Sequence, residues 1–401
     1  MAIQLGIPKD ARISLNDMVD KCAEVKAGQE VVILAYKDGL YGGDNLVDEE
    51  AVAWLASVVE NRGANCTIVW ADEPHELHHW RYPPVVKAAI AAADVVFNPT
   101  FDLVTEEMSE FRDHLEECNT WMVRMFPATA PLLMTKWAQT PYELVEMIRH
   151  ISSEPFMERN MNPFVMTDPN GTHLEGFTLD PTKRDGIPGM AYNSWRKEAS
   201  HYLPCPEWVH PPINCADIHG VFNFNCMLSW WSRYLDIEPE WDTPISIEVE
   251  GSRMVNITGG TEAAKLRALL KDLETKVGDG IYRFDTFHFG VHPNAKVEEY
   301  QCPNNRYRRI IDHSHSCNLH VHIGSAGAKP NYYYYPHITG DIRNATLTVG
   351  DKLVYDKGWL CCLDDPRVRA IEAKYPGRPG IPPRYKKKQA VPPVKAGGTE
   401  K

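Results

Sequence analysis

Seven residues, Asn318-Leu319-His320-Val321-His322-Ile323-Gly324, carry the densest chemical pattern in the chain. Their alternation predicts a strand with Leu319, Val321 and Ile323 on one face and Asn318, His320 and His322 on the other. Two imidazoles two positions apart on one strand face converge on a common point, which presents two nitrogen ligands to a metal ion. His288, His292, His313, His315 and His337 lie nearby in sequence, so seven of the chain's 16 histidines fall between positions 288 and 337. That crowding exceeds what a scattered composition gives and points to a metal site. The plainer alternative is a half-buried strand whose histidines bond to their neighbours.

The elements that must position these groups divide the chain in two. Val31–Tyr36, Cys66–Trp70, Asp94–Phe97 and Trp121–Met125 read as strands. Asp48–Asn61, Val85–Ala93, Thr105–Cys118 and Pro141–Ile151 read as the helices between them. This rhythm predicts an α/β fold whose first domain, residues 1–160, is an open, mostly parallel sheet covered by helices. The Gly39, Gly42, Gly43 loop does not match a dinucleotide fingerprint and reads as a turn.

Past Asn162 the texture turns to short strands, turns and prolines. Hairpins are predicted at Phe164–Thr167 with His173–Phe177 and at Ile245–Glu250 with Met254–Ile257. A helix capped by Thr261 runs to about Lys276, with further strands near residues 282–290, 318–324 and 344–349. Residues 161–375 are thus expected to form a β-rich α+β metal-binding domain. The tail, 376–401, holds six prolines and the run Lys386-Lys387-Lys388 and reads as a flexible arm that packs on a neighbouring subunit or stays disordered.

Composition removes several function classes. The chain has 401 residues, 43% of them hydrophobic, and a net charge of -12. That balance opposes nucleic-acid binding, which needs a basic surface. No apolar run approaches a membrane span. The N-terminus has no secretion signal, and ten scattered cysteines without a CxxC pair read as reduced thiols. A cytoplasmic homo-oligomer is the expectation.

Four segments carry the remaining chemistry: Leu203–Pro212, which contains Glu207; Phe287–Ala295, which contains His288; the histidine strand; and Tyr335–Thr339, which contains His337. In order and in glycine and proline context they resemble the metal-binding half of the leucyl aminopeptidase (aminopeptidase T-like) family, over roughly residues 160–360. Thr261-Glu262-Ala263-Ala264 also resembles that family's hinge helix. The resemblance implies Glu207, His288, His320 and His337 as metal ligands. His288 stands where that family has a second Glu, and Thr339 where it has an Asp after the last His. Two bridging carboxylates are therefore missing, which suits one transition metal better than a pair.

The pattern is similar to the divergent branch of 2,5-dihydroxypyridine 5,6-dioxygenases, and implies iron(II), a small hydroxylated aromatic or N-heterocycle, and dioxygen. The alternative is a metal-dependent hydrolase of a peptide or small amide, using zinc, manganese or cobalt. The missing anion falls to Glu207 or Asp341. His322 is an alternative ligand to His320. Acid/base work falls to His201, Glu207, or whichever of His320 and His322 is not a ligand. Trp208, Trp230, Trp231 and Tyr332–Tyr335 offer an aromatic wall, and Arg306, Arg308 and Arg309 offer a carboxylate-binding group or an exposed charged loop.

Overall fold

The computed structural model describes residues 6–36, 47–71, 83–99, 109–125, 127–157, 161–179, 202–206, 212–227, 237–324 and 338–384. The first sheet is built from β1 (Glu30–Tyr36), β2 (Asn65–Ala71), β3 (Val95–Asn98) and β4 (Trp121–Met125). The chain then leaves it for β5 (Asn162–Thr167) and β6 (His173–Thr178), and comes back with β7 (Tyr202–Cys205). The order is β2-β1-β3-β4-β7, and every pairing is parallel. Such a sheet needs cover on both faces. One face packs Val31 and Ile33 against Leu15, Val52, Leu55 and Val59, and the other packs Val32 and Leu34 against Val86, Ile90 and Leu115. The helix Glu49–Glu60 starts where Asp48 accepts the Ala51 N–H at 2.6 Å, and the same carboxylate accepts Ala130 N–H at 2.7 Å. One cap therefore fixes a helix start and the chain after β4 together.

The second sheet has 11 antiparallel strands. They comprise β5, β6, β8 (Ile213–Cys226), β9 (Glu240–Glu250), β10 (Arg253–Thr258), β11 (Thr286–Phe289), β12 (Asn318–Ile323), β13 (Ile338–Arg343), β14 (Thr346–Val349), β15 (Lys352–Asp356) and β16 (Trp359–Leu360). The long strand β8 is its spine, pairing with β11 at its start, β6 along its middle and β9 toward its end. The β5–β6 hairpin forms at the expected turn, where Asp168 Oδ1 accepts the N–H groups of Asn170 and Thr172 at 2.9 and 2.8 Å. The helix Thr261–Val277 is also present, but Gly260 occupies its cap position and no side chain caps it. Among the described residues no helix is long and apolar enough to cross a membrane.

Two features bear on the site. Phe287 and Phe289 alternate with His288 on β11 and pack on Phe156, with ring centroids 6.1 and 6.0 Å away. Aromatic packing on one face thus holds the histidine on the other. Gly290, which follows, lies against backbone: a Cβ there would sit 2.2 Å from the His315 carbonyl oxygen and 2.4 Å from Ser314. Residues 376–384 of the tail pack on their own chain, and 385–401 lie outside the described residues. Arg378 reaches back to pair with Asp17 at 2.6 Å and donates to the Gln139 carbonyl, while Gly380 accepts from Asn294. A proline-rich stretch loses little entropy on ordering, so these few bonds suffice to dock it.

Candidate metal centre

Strand register brings the histidines together. His288 on β11 lies directly opposite His320 on β12, and His320 lies opposite Asp341 on β13. Directly opposed residues of antiparallel strands share a face, so the three stand in a row across the sheet. His322, two residues on, shares that face and is paired with Thr339. The His288 ring lies 5.1 Å from His320 and 4.2 Å from His322, centroid to centroid. One nitrogen from each of the three falls within 4.8 Å of the others. Ligands bonded at ~2.1 Å to a single ion sit at most ~4.2 Å apart, so a small closing movement fits this set to one ion.

The strand is not half-buried. All six residues of β12 are buried, because a helix covers the polar face. This helix, Asn305–His313, stands where the sequence suggests an exposed charged loop. Asn304 caps it by accepting the Tyr307 N–H at 2.9 Å, and Tyr307, Ile310 and Ile311 bury its apolar side. Arg309 and His313, one turn apart, point at the sheet. Arg309 forms a buried ion pair with Asp341, so it is not available as an exposed carboxylate-binding group. Arg308 instead donates to the carbonyls of Cys302 and Pro303 at 2.7 and 2.9 Å.

His313 packs on His320 with ring centroids 3.7 Å apart and sets its Nδ1 3.4 Å from Asp341 Oδ1. Burial pushes the Asp341 carboxyl up, but Arg309, His313 and the Asn318 amide outweigh this and hold it down at about 2. His313, His320 and Asp341 form a second group whose ligand atoms lie within 4.8 Å of one another.

His292 and His315 belong elsewhere. They face each other across an isolated bridge, and each Nδ1 accepts the N–H two residues on, from Asn294 and Cys317, at 3.1 Å. Histidine crowding in sequence therefore merged two clusters. His201, Glu207 and His337, with Trp208, Trp230, Trp231 and Tyr332–Tyr335, lie outside the described residues, as does the Gly39–Gly43 loop.

Among solved structures, the chain is similar to that of 2,5-dihydroxypyridine dioxygenase from Pseudomonas putida KT2440, with a TM-score of 0.58 and 14% identity. The match covers 88% of this chain and 98% of the other. The two share a fold. No protein-family model matches the chain, and no curated protein matches it in sequence.

The His292–His315 pair sets an acid limit on stability. Burial lowers the His292 pKa to about 3 and that of His315 to about 4. Both lie below the unfolded value of ~6.5. The stability they contribute is complete above that value and is lost as pH falls toward 4 and then 3, because the unfolded chain takes up protons first. Each proton costs up to ~1.4 kcal/mol per pH unit. In His292→Asn the new amide oxygen keeps an acceptor for Asn294 and removes one titration. Urea unfolding of metal-stripped protein between pH 7 and 5 is expected to fall less steeply in the variant, and equal slopes would refute the assignment.

Proposed function

We propose that this protein is a mononuclear iron(II) dioxygenase that opens the ring of a small hydroxylated aromatic or N-heterocycle. The observation that carries the reading is the buried His288–His320–His322 cluster, set in a fold shared with a dihydroxypyridine dioxygenase. Imidazole suits iron and zinc alike, and the dioxygen chemistry proposed here calls for iron. His337, which immediately precedes β13, completes the set, and Glu207 serves as a further ligand or as the partner of a ligand imidazole.

Several properties of the chain support a single ion. Two-metal sites rely on carboxylates to bridge their cations. Here the carboxylate among the described candidates, Asp341, is committed to Arg309 and Asn318. The Asp341–Arg309 pair adds no net charge, and imidazole ligands are neutral. With Glu207 as the partner of a ligand imidazole rather than a ligand, the charge of a divalent ion is balanced by an anionic substrate, which selects for a ring bearing an ionisable hydroxyl. Iron(II) held by these residues would supply the electronic coupling between that hydroxylate and dioxygen.

The protein does the rest. His288 is held by the aromatic packing of its strand neighbours. Buried β12 keeps water from the ligand face. A histidine outside the ligand set takes the hydroxyl proton, with His201 and His322 as the candidates. Anaerobic purification, metal analysis and dioxygen uptake with a panel of dihydroxypyridines and dihydroxybenzoates test the reading. One iron per chain and uptake matched to loss of ring absorbance are expected. Oxygen-independent hydrolysis of peptides or amides by a zinc-loaded protein, with no uptake on any ring, would replace it by a metallohydrolase.

A further inference from the structure

Behind the three imidazoles lies a second buried group that ring opening does not itself use. The Asp341 side chain is fully buried. Its Oδ2 accepts from Arg309 Nη2, from Asn318 Nδ2 at 3.2 Å and from Cys226 Sγ at 3.6 Å. Its Oδ1 faces His313 Nδ1 at 3.4 Å, and the His313 ring lies against the His320 ring at 3.7 Å with a tilt of 35°. Because Asp341 is also the residue opposite His320 in the strand pairing, the carboxylate, the His313 ring and the His320 ring form a closed triangle.

A carboxylate this close to metal-ligating nitrogens has two possible fates, ligand or orienting group. The guanidinium decides between them. Arg309 occupies Oδ2 and places a positive charge beside the spot where a second divalent ion would sit, and like charges repel strongly in a buried site. We propose, resting on the metal-site reading above, that Asp341 is a positioning residue. Anchored by Arg309, it holds His313 against His320 and so fixes the ring that presents its nitrogen to the ion. Carboxylates commonly orient metal-bound imidazoles from just outside the ligand set. Here the connection runs through a second imidazole.

The test is cobalt(II) binding to metal-stripped full-length protein, read as stoichiometry, affinity against a chelator and visible absorption. Asp341→Asn alone strands the buried Arg309 and risks misfolding, so Arg309→Met/Asp341→Asn is the companion variant, with a thermal melt to confirm folding. Wild type is expected to bind one cobalt per chain, and the folded double variant to bind one cobalt ~10–100-fold more weakly with a changed spectrum. Unchanged affinity and spectrum in the folded double variant would overturn the inference. So would two cobalt ions per wild-type chain with one lost in Asp341→Asn, since Asp341 would then be a ligand. A separate control, His288→Ala, isolates the underlying reading. If wild type binds no cobalt, or binds it equally well without His288, the metal site itself is wrong and this inference falls with it.

Discussion

Replacing His288 with alanine is expected to abolish metal retention through gel filtration and to reduce turnover to background. Loss of an orienting partner outside the ligand set already costs ~10–100-fold in affinity, and loss of a ligand costs more. His288 has the closest ring contact to His322 and lies opposite His320, so its removal opens the cluster from the middle. The apolar neighbours Phe287 and Phe289 remain in the core, and the fold should survive with a near-normal melting temperature. His320→Ala and His322→Ala then divide the remaining roles. A variant that keeps its metal but loses turnover marks the acid/base group, and one that loses both marks a ligand. Full metal occupancy in His288→Ala would show that the ion binds elsewhere.

A large loss of stability is expected at Gly290. A methyl group there meets the carbonyl of His315 and the backbone of Ser314, and backbone cannot rotate away as a side chain can. Gly290 N–H also donates to the Asn318 carbonyl at 2.9 Å, at the start of β12. Gly290→Ala therefore wedges β11 away from the turn that follows His313, at a cost at or above the upper end of the ~1–3 kcal/mol typical of overpacking. Chemical denaturation would reveal it as a lower midpoint. The same wedge displaces His288 relative to His313, so metal affinity should fall with stability. A variant as stable as wild type would mean that this close approach is relieved without cost.

How much of this was readable beforehand depended on how local each signal was. The buried runs of β1 and β3 and the alternation of β12 were legible because periods of this kind need only a few consecutive residues. Which face of β12 met which partner was not. His288 and His320 are joined by register across an intervening helix, and nothing in the local sequence sets that register. Arg309 is ambiguous in sequence because a buried arginine looks like a solvated one until its partner is known, and Asp341 is 32 positions away. Tyr307, Ile310 and Ile311 at helical spacing, behind the Asn304 cap, were the signal that could have revealed the helix. His292 and His315 were grouped with the metal histidines by proximity in sequence, although their Nδ1 atoms serve local turns. For β8 the difficulty was length: Asp217 and Gly220 interrupt its pattern, yet its two ends pair with different strands.

The late return of β7 to the first sheet matters while the chain is still being made. At ~5–20 residues per second, the stretch between Met125 and Tyr202 takes ~4–15 s to synthesise. Throughout that interval the outer edge of β4 has no strand beside it, and the β5–β6 hairpin, which belongs to the other sheet, emerges first. An open edge of buried, apolar strand is a template for wrong pairing. The vulnerable moment for this protein thus falls in mid-translation, and slower synthesis before codon 202 should lower the soluble yield while leaving the finished molecule unchanged.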